Sequence, residues 1–126
     1  MKKLFIILAV MAVVLGGTEW QNPQIRQAWG LIEENPESAK NVLVKVRTES
    51  LTERDKADYG LLKTIVDLST PGILKNDSLI SASIAYYNQH GDDWHRGRAY
   101  LYRGLVRWYR LASYPSAIKD FKVAEI

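Results

Sequence analysis

The chain has no cysteine. That absence rules out a disulfide framework, a thiolate metal ligand and any thioether-linked lipid. Nor is any apolar run long enough to cross a bilayer as a helix: Leu4 to Leu15 is twelve residues, against about 20 needed. No segment alternates apolar and polar residues as a half-buried strand does. Glycine-rich phosphate loops and Gly-x-Ser-x-Gly elbows are missing too, and spacing suggests no base–nucleophile pair. Charge of one sign is scarce as well, since 17 Lys+Arg against 14 Asp+Glu leave only +3.

The short apolar run nevertheless has a meaning. Met1-Lys2-Lys3 is a basic start, Leu4–Leu15 an apolar centre, and Gly16-Gly17-Thr18 a small-residue close. Together these are the parts of a secretory signal peptide covering residues 1–17. Leu15-Gly16-Gly17 looks like the front of a bacterial lipoprotein box, but Thr18 stands where the lipid-bearing cysteine would be. The reading is therefore an exported chain released after Gly16 or Gly17, periplasmic or in the cell envelope, with no stable membrane span after cleavage. An uncleaved N-terminal anchor is the alternative. Removing residues 1–17 from the 126 leaves 109, enough for one small domain. Without Lys2 and Lys3 the balance is 15 cations to 14 anions, or +1. So slight an excess argues against a globally nucleic-acid-binding protein.

The punctuation of residues 18–126 is that of helices. Asn22-Pro23 and Asn35-Pro36 each set an N-cap residue before a proline at the first helical position, predicting helices over about 23–34 and 36–48. Thr52-Glu53-Arg54-Asp55 resembles a capping box and opens a helix to about Leu68. Ser69-Thr70-Pro71-Gly72 stops it. The segment 70–76 is the longest gap and reads as the most mobile. Asp77 or Ser78 caps a helix to about Gln89, with Gly91 placed as a left-handed terminator. Asp92 or Asp93 begins a fifth helix to about Leu111, and Ser113 caps a sixth with Pro115 in its first turn. Six helices with short connections predict three antiparallel pairs and an all-α chain.

The last pair is the most informative. Leu101, Leu105, Trp108 and Ala112 share one face of the fifth helix, and Tyr114, Ala117, Phe121 and Ala124 follow at spacings of three, four and three. This pattern resembles a tetratricopeptide repeat. The family usually has glycine where Leu105 stands, whereas this chain has Gly104, and its inter-helix Gly-Asp is here Ala112-Ser113. Thirty-four residues before Phe121 lies Tyr87, and before Ala117 lies Ser83, beside Ala82. Ala39, Leu43 and Val46 repeat the four-then-three spacing. Repeats fall at about 22–50, 52–90 and 92–126, the second lengthened by Thr70–Asn76. The arrangement as a whole resembles exported tetratricopeptide proteins of Bacteroidetes-type bacteria, often lipoproteins or the front part of membrane-bound regulators. The resemblance implies a short right-handed solenoid of three stacked hairpins, with no cofactor. It also implies a groove for a protein or peptide partner, lined by Tyr102, Val106, Tyr109 and Arg110, with Asp58 and Leu62 from the third helix. Arrays of this kind end in a polar capping helix, and none follows Ile126. The chain is accordingly read as a fragment, or as one whose last helix is covered by a partner or by self-association.

Three other constellations bear on function. His90, Asp92, Asp93 and His95 crowd one turn, a composition that can bind zinc and serve a small metal-dependent hydrolase. The plainer reading is a capping turn, so no metal and no catalytic residue are assigned. Arg96, Arg103, Arg107 and Arg110 fall on one side of the fifth helix near Tyr100. That set suits an anionic polymer or, more simply, a solvated face opposite the apolar stripe; export disfavours nucleic acid. Trp20 and Trp29 are read as covering the first pair, and Glu33-Glu34 as the polar end of a helix. The resulting expectation is a non-enzymatic exported module that binds protein or peptide. The alternatives are the sensory front of a larger membrane-bound regulator and, less favoured, the metal hydrolase.

Overall fold

The computed structural model describes residues 21–125, so the expectations for the 1–17 leader, Trp20 and Ile126 lie outside the described residues. Those described are all-helical: α1 (Pro23–Leu31), α2 (Pro36–Val44), a 3-10 turn (Thr48–Ser50), α3 (Glu53–Leu68), α4 (Ser78–His90), α5 (Asp93–Tyr109) and α6 (Tyr114–Ala124). No helix among them is long and apolar enough to cross a membrane.

The caps explain where the helices start. Asn22 Oδ1 accepts from the amides of Gln24 and Ile25, and Asn35 Oδ1 from that of Ser38. Thr52 Oγ1 accepts from the Asp55 amide, and Asp92 Oδ1 from that of His95. Each bond satisfies one of the amides that a helix start leaves without an intrahelical partner. Asp77 stands at the N-cap of α4 but makes no side-chain cap bond. Its carboxylate accepts from Arg107 at 2.7 Å, and Asn76 Oδ1 caps the Ser78 amide instead.

Helix ends differ from the sequence expectation, each for a local reason. α1 stops at Leu31, because the chain must be extended at Asn35 (φ −145°, ψ 74°) to enter Pro36. α2 stops at Val44 rather than near residue 48, and the 3-10 turn then carries Leu51 back into the core, 7% exposed. Gly91 is not a left-handed terminator, since its φ is −87°. What it supplies is room: an added Cβ would sit 2.6 Å from Tyr87 Cα. Among the described residues positive φ is found instead at Ala112 (51°), after α5, and at Gly72 (88°), after α3.

Two apolar clusters run through the helices. One joins Ile25, Ala28 and Ile32 of the first segment to Ala39 and Leu43 of α2, and to Leu51, Leu62 and Val66. The other gathers Ala57 and Leu61 of α3, Ile80, Ile84 and Tyr87 of α4, and Ala99 of α5. Trp29 and Ile65 pack against both, so the two are continuous. α1 packs chiefly on α2, α3 on α4 and α5 on α6; α1 with α3, and α3 with α5, are also in contact. Where α5 meets α6, a Cβ added at Gly104 would lie 2.5 Å from Phe121 Cε1. Only glycine lets these helices come so close.

Candidate functional site

The odd-numbered helices, in contact one with the next, leave a groove of about 550 Å³ along their shared side. Trp29 of α1 and the adjoining Ile32 and Glu33 form one wall. Ile65 of α3 lies between, and Trp94, Arg98 and Tyr102 of α5 form the other wall. The last three are four residues apart, so a single stripe of α5 supplies them. Ring edges lock the walls together: Trp29 and Trp94 meet at 5.5 Å between centroids and 62° between planes. The Arg98 guanidinium lies over the Trp94 ring, 4.9 Å from its centroid, a cation–π arrangement. Its nearest carboxylate is Glu33 at 3.6 Å, on a side chain that is 75% exposed.

Of the six groove residues named from the repeat register, only Tyr102 lines this groove. Leu62 and Val106 are fully buried, and Asp58 is 1% exposed. Tyr109 is exposed as the last residue of α5, and Arg110 Nη2 donates to the Leu68 carbonyl, tying the ends of α3 and α5. The register puts the family's usual glycine at Leu105, whereas the structure has the close approach to Phe121 at Gly104, one residue earlier. Trp29, Ile32, Glu33, Ile65, Trp94 and Arg98 were missed as site residues. The four-residue spacing Trp94–Arg98–Tyr102 was the available signal for the α5 wall.

Asp58 serves a different purpose. Its Oδ1 accepts from the Tyr87 hydroxyl at 2.5 Å, joining α3 to α4 within the core. Burial pushes the Asp58 carboxyl up, against the opposing pull of the Tyr87 hydrogen bond and nearby His95 and Arg54. The Tyr87 phenol is raised as well, by burial and by the Asp58 charge. A pocket of about 310 Å³ opens beside this pair, reaching Arg54, His90, Asp92 and His95.

The four residues considered for metal are spread among separate tasks. Asp92 caps α5 and holds His95 Nδ1 at 2.9 Å. Partial burial raises the Asp92 carboxyl, but the His95 backbone and side-chain bonds outweigh it and hold it below the usual aspartate value. His95 packs its ring against Tyr87, Trp29 and Trp94, while His90 lies beside Tyr86 at the end of α4. Asp93 accepts from Arg96. Among the described residues no group of three or more His, Asp or Glu is placed to hold a metal ion.

Within the arginine set of α5, Arg96 pairs with exposed Asp93, whereas Arg103 and Arg107 are drawn into a junction between helices. Asp120 of α6, 3% exposed, accepts from Arg103 at 3.0 and 2.8 Å and from Arg107 at 3.0 Å. Arg107 also reaches Asp77, and Arg103 reaches Ser81 Oγ. Hydrogen bonding to Asp120 holds the Arg103 guanidinium above its usual value, against the pull of burial. These cations are spent on joining α4, α5 and α6. Periodicity gives no sign of this, because a single aspartate in an amphipathic helix does not show which cations of a neighbouring helix will meet it. No protein-family profile matches the chain, nor does any curated protein or solved structure.

Proposed function

We propose that the chain is a non-enzymatic helical-repeat module that binds a protein or peptide in the α1/α3/α5 groove. In this reading the pairs α1–α2, α3–α4 and α5–α6 are three antiparallel hairpins stacked as a short right-handed solenoid of tetratricopeptide type. Two features support the stacking: each helix packs chiefly on its pair partner, and α1, α3 and α5 touch in succession. The basic, apolar and small-residue parts of residues 1–17 support export to the periplasm or envelope.

The observation that carries the binding reading is the composition of the groove. Trp29, Trp94, Tyr102 and Arg98 are of the types that dominate binding hot spots, and here they converge on one concavity beside Ile32 and Ile65. Trp94 is 51% exposed although it packs on Trp29, so a ligand would cover apolar area that water now touches. Because rings and backbone already hold these walls, little ordering remains to oppose association.

Photo-crosslinking in the native cells tests this. Benzoylphenylalanine in place of Tyr102 should give a discrete adduct, whereas the same residue in place of Val44, 76% exposed on α2, should not. Adducts at position 44 with none at 102 would refute the groove as the binding site.

A further inference from the structure

Arg98 differs from every other arginine of α5 and its C-cap. Arg96 donates to Asp93, Arg103 and Arg107 to Asp120, and Arg110 to the Leu68 carbonyl. Among the described residues Arg98 makes no hydrogen bond; it has only the 3.6 Å approach of Glu33. That separation is too long for a hydrogen bond, and an exposed pair of this kind is weak. The Arg98 side chain is nonetheless only 37% exposed, with the Trp94 ring against one face. A guanidinium presents five N–H donors in a fixed plane and holds a carboxylate best by two of them together. Here the plane stands at the wall of a groove whose remaining lining is Trp29, Ile32, Ile65, Trp94 and Tyr102, with Glu33 the lone acid.

We infer that the occupant is a peptide segment bearing a side-chain carboxylate close to an aliphatic or aromatic residue. The carboxylate takes the donors of Arg98, displacing the loose contact with Glu33, and the apolar side chain enters between Trp29, Ile65 and Tyr102. A segment without a carboxylate leaves Arg98 with only its loose approach to Glu33 and is held more weakly, which is how such a site discriminates. This rests on the groove being the binding site.

The test is selection from a random dodecapeptide library, with amidated C-termini, on the full chain. Selected peptides should hold Asp or Glu within about three residues of Leu, Ile, Phe or Trp, the reach of one helical turn or a short extended stretch. Their affinity should fall about tenfold or more in R98E, as expected for loss of a charge-assisted contact, and less in R98K, which keeps the charge without the fork. Circular dichroism identical to the parent shows that the variants fold. Peptides that are weakened by W94A but either lack acid or bind R98E undiminished overturn the carboxylate and leave the groove standing. Peptides indifferent to W94A and R98E alike, or none at all, overturn both.

Discussion

Single residues here carry costs that the helix pattern conceals. Ala112 holds φ 51°, a conformation an L-residue pays about 1–2 kcal/mol to adopt. Ala112→Gly should therefore stabilise the chain by about 0.5–1 kcal/mol, the relief of strain less the greater backbone entropy of glycine, as read from urea unfolding. Asp58 and Asp92 should respond to pH with opposite signs. Burial raises the folded Asp58 value above 3.8, so its favourable contribution is full below that pH and is lost as pH rises through the folded value. Asp58→Asn keeps an acceptor for Tyr87 without the buried charge. Relative to the parent it should gain stability on going from acid to neutral pH. Asp92 is held below 3.8 by His95, so its contribution is present above that pH and disappears as pH falls through the lower folded value. Asp92→Asn should accordingly cost stability at neutral pH and nothing in strong acid. Unfolding curves across this range check both.

At the scale of elements, what holds the last pair of helices differs from what announces it in the sequence. The apolar stripe of α5 and the Ala117–Phe121 spacing of α6 are both legible, whereas the close approach falls at Gly104, one residue before the glycine position of the repeat register. The Asp120 junction was not legible, because one aspartate in an amphipathic helix gives no sign that two arginines will bury against it. Its removal should matter more than any exposed ion pair. Asp120→Ala leaves Arg103 and Arg107, side chains 16% and 20% exposed, without their shared acceptor. The expected loss is about 3 kcal/mol, the lower part of the range for a broken buried pair, since Arg107 keeps Asp77. Calorimetric or urea unfolding of the variant measures it. Helix starts were read closely from Asn22, Asn35, Thr52 and Asp92, whose caps are local. Helix ends at 31, 44 and 109 were not, because tertiary demands such as the burial of Leu51 decide them.

For the molecule as a whole, capping and breaker residues announce an all-helical class and the order of six helices, but not which side chains meet across α1, α3 and α5. A wheel shows one helix at a time. Of the residues placed by the repeat register, Tyr102 lines the groove while Leu62 and Val106 are buried, since depth depends on neighbouring helices. Trp29, read from sequence as covering the first pair, also reaches Trp94, some sixty-five residues further along the chain. These cross-helix meetings make the groove. The most direct test is a 15N–1H NMR titration of the full chain with a library-selected peptide, following the tryptophan indole N–H signals. If the groove takes the peptide, the signals of Trp29 and Trp94 shift while that of Trp108, packed on Tyr114 and Phe121 at the other end of α5, stays in place. A shift of Trp108 with Trp29 and Trp94 unmoved would contradict it.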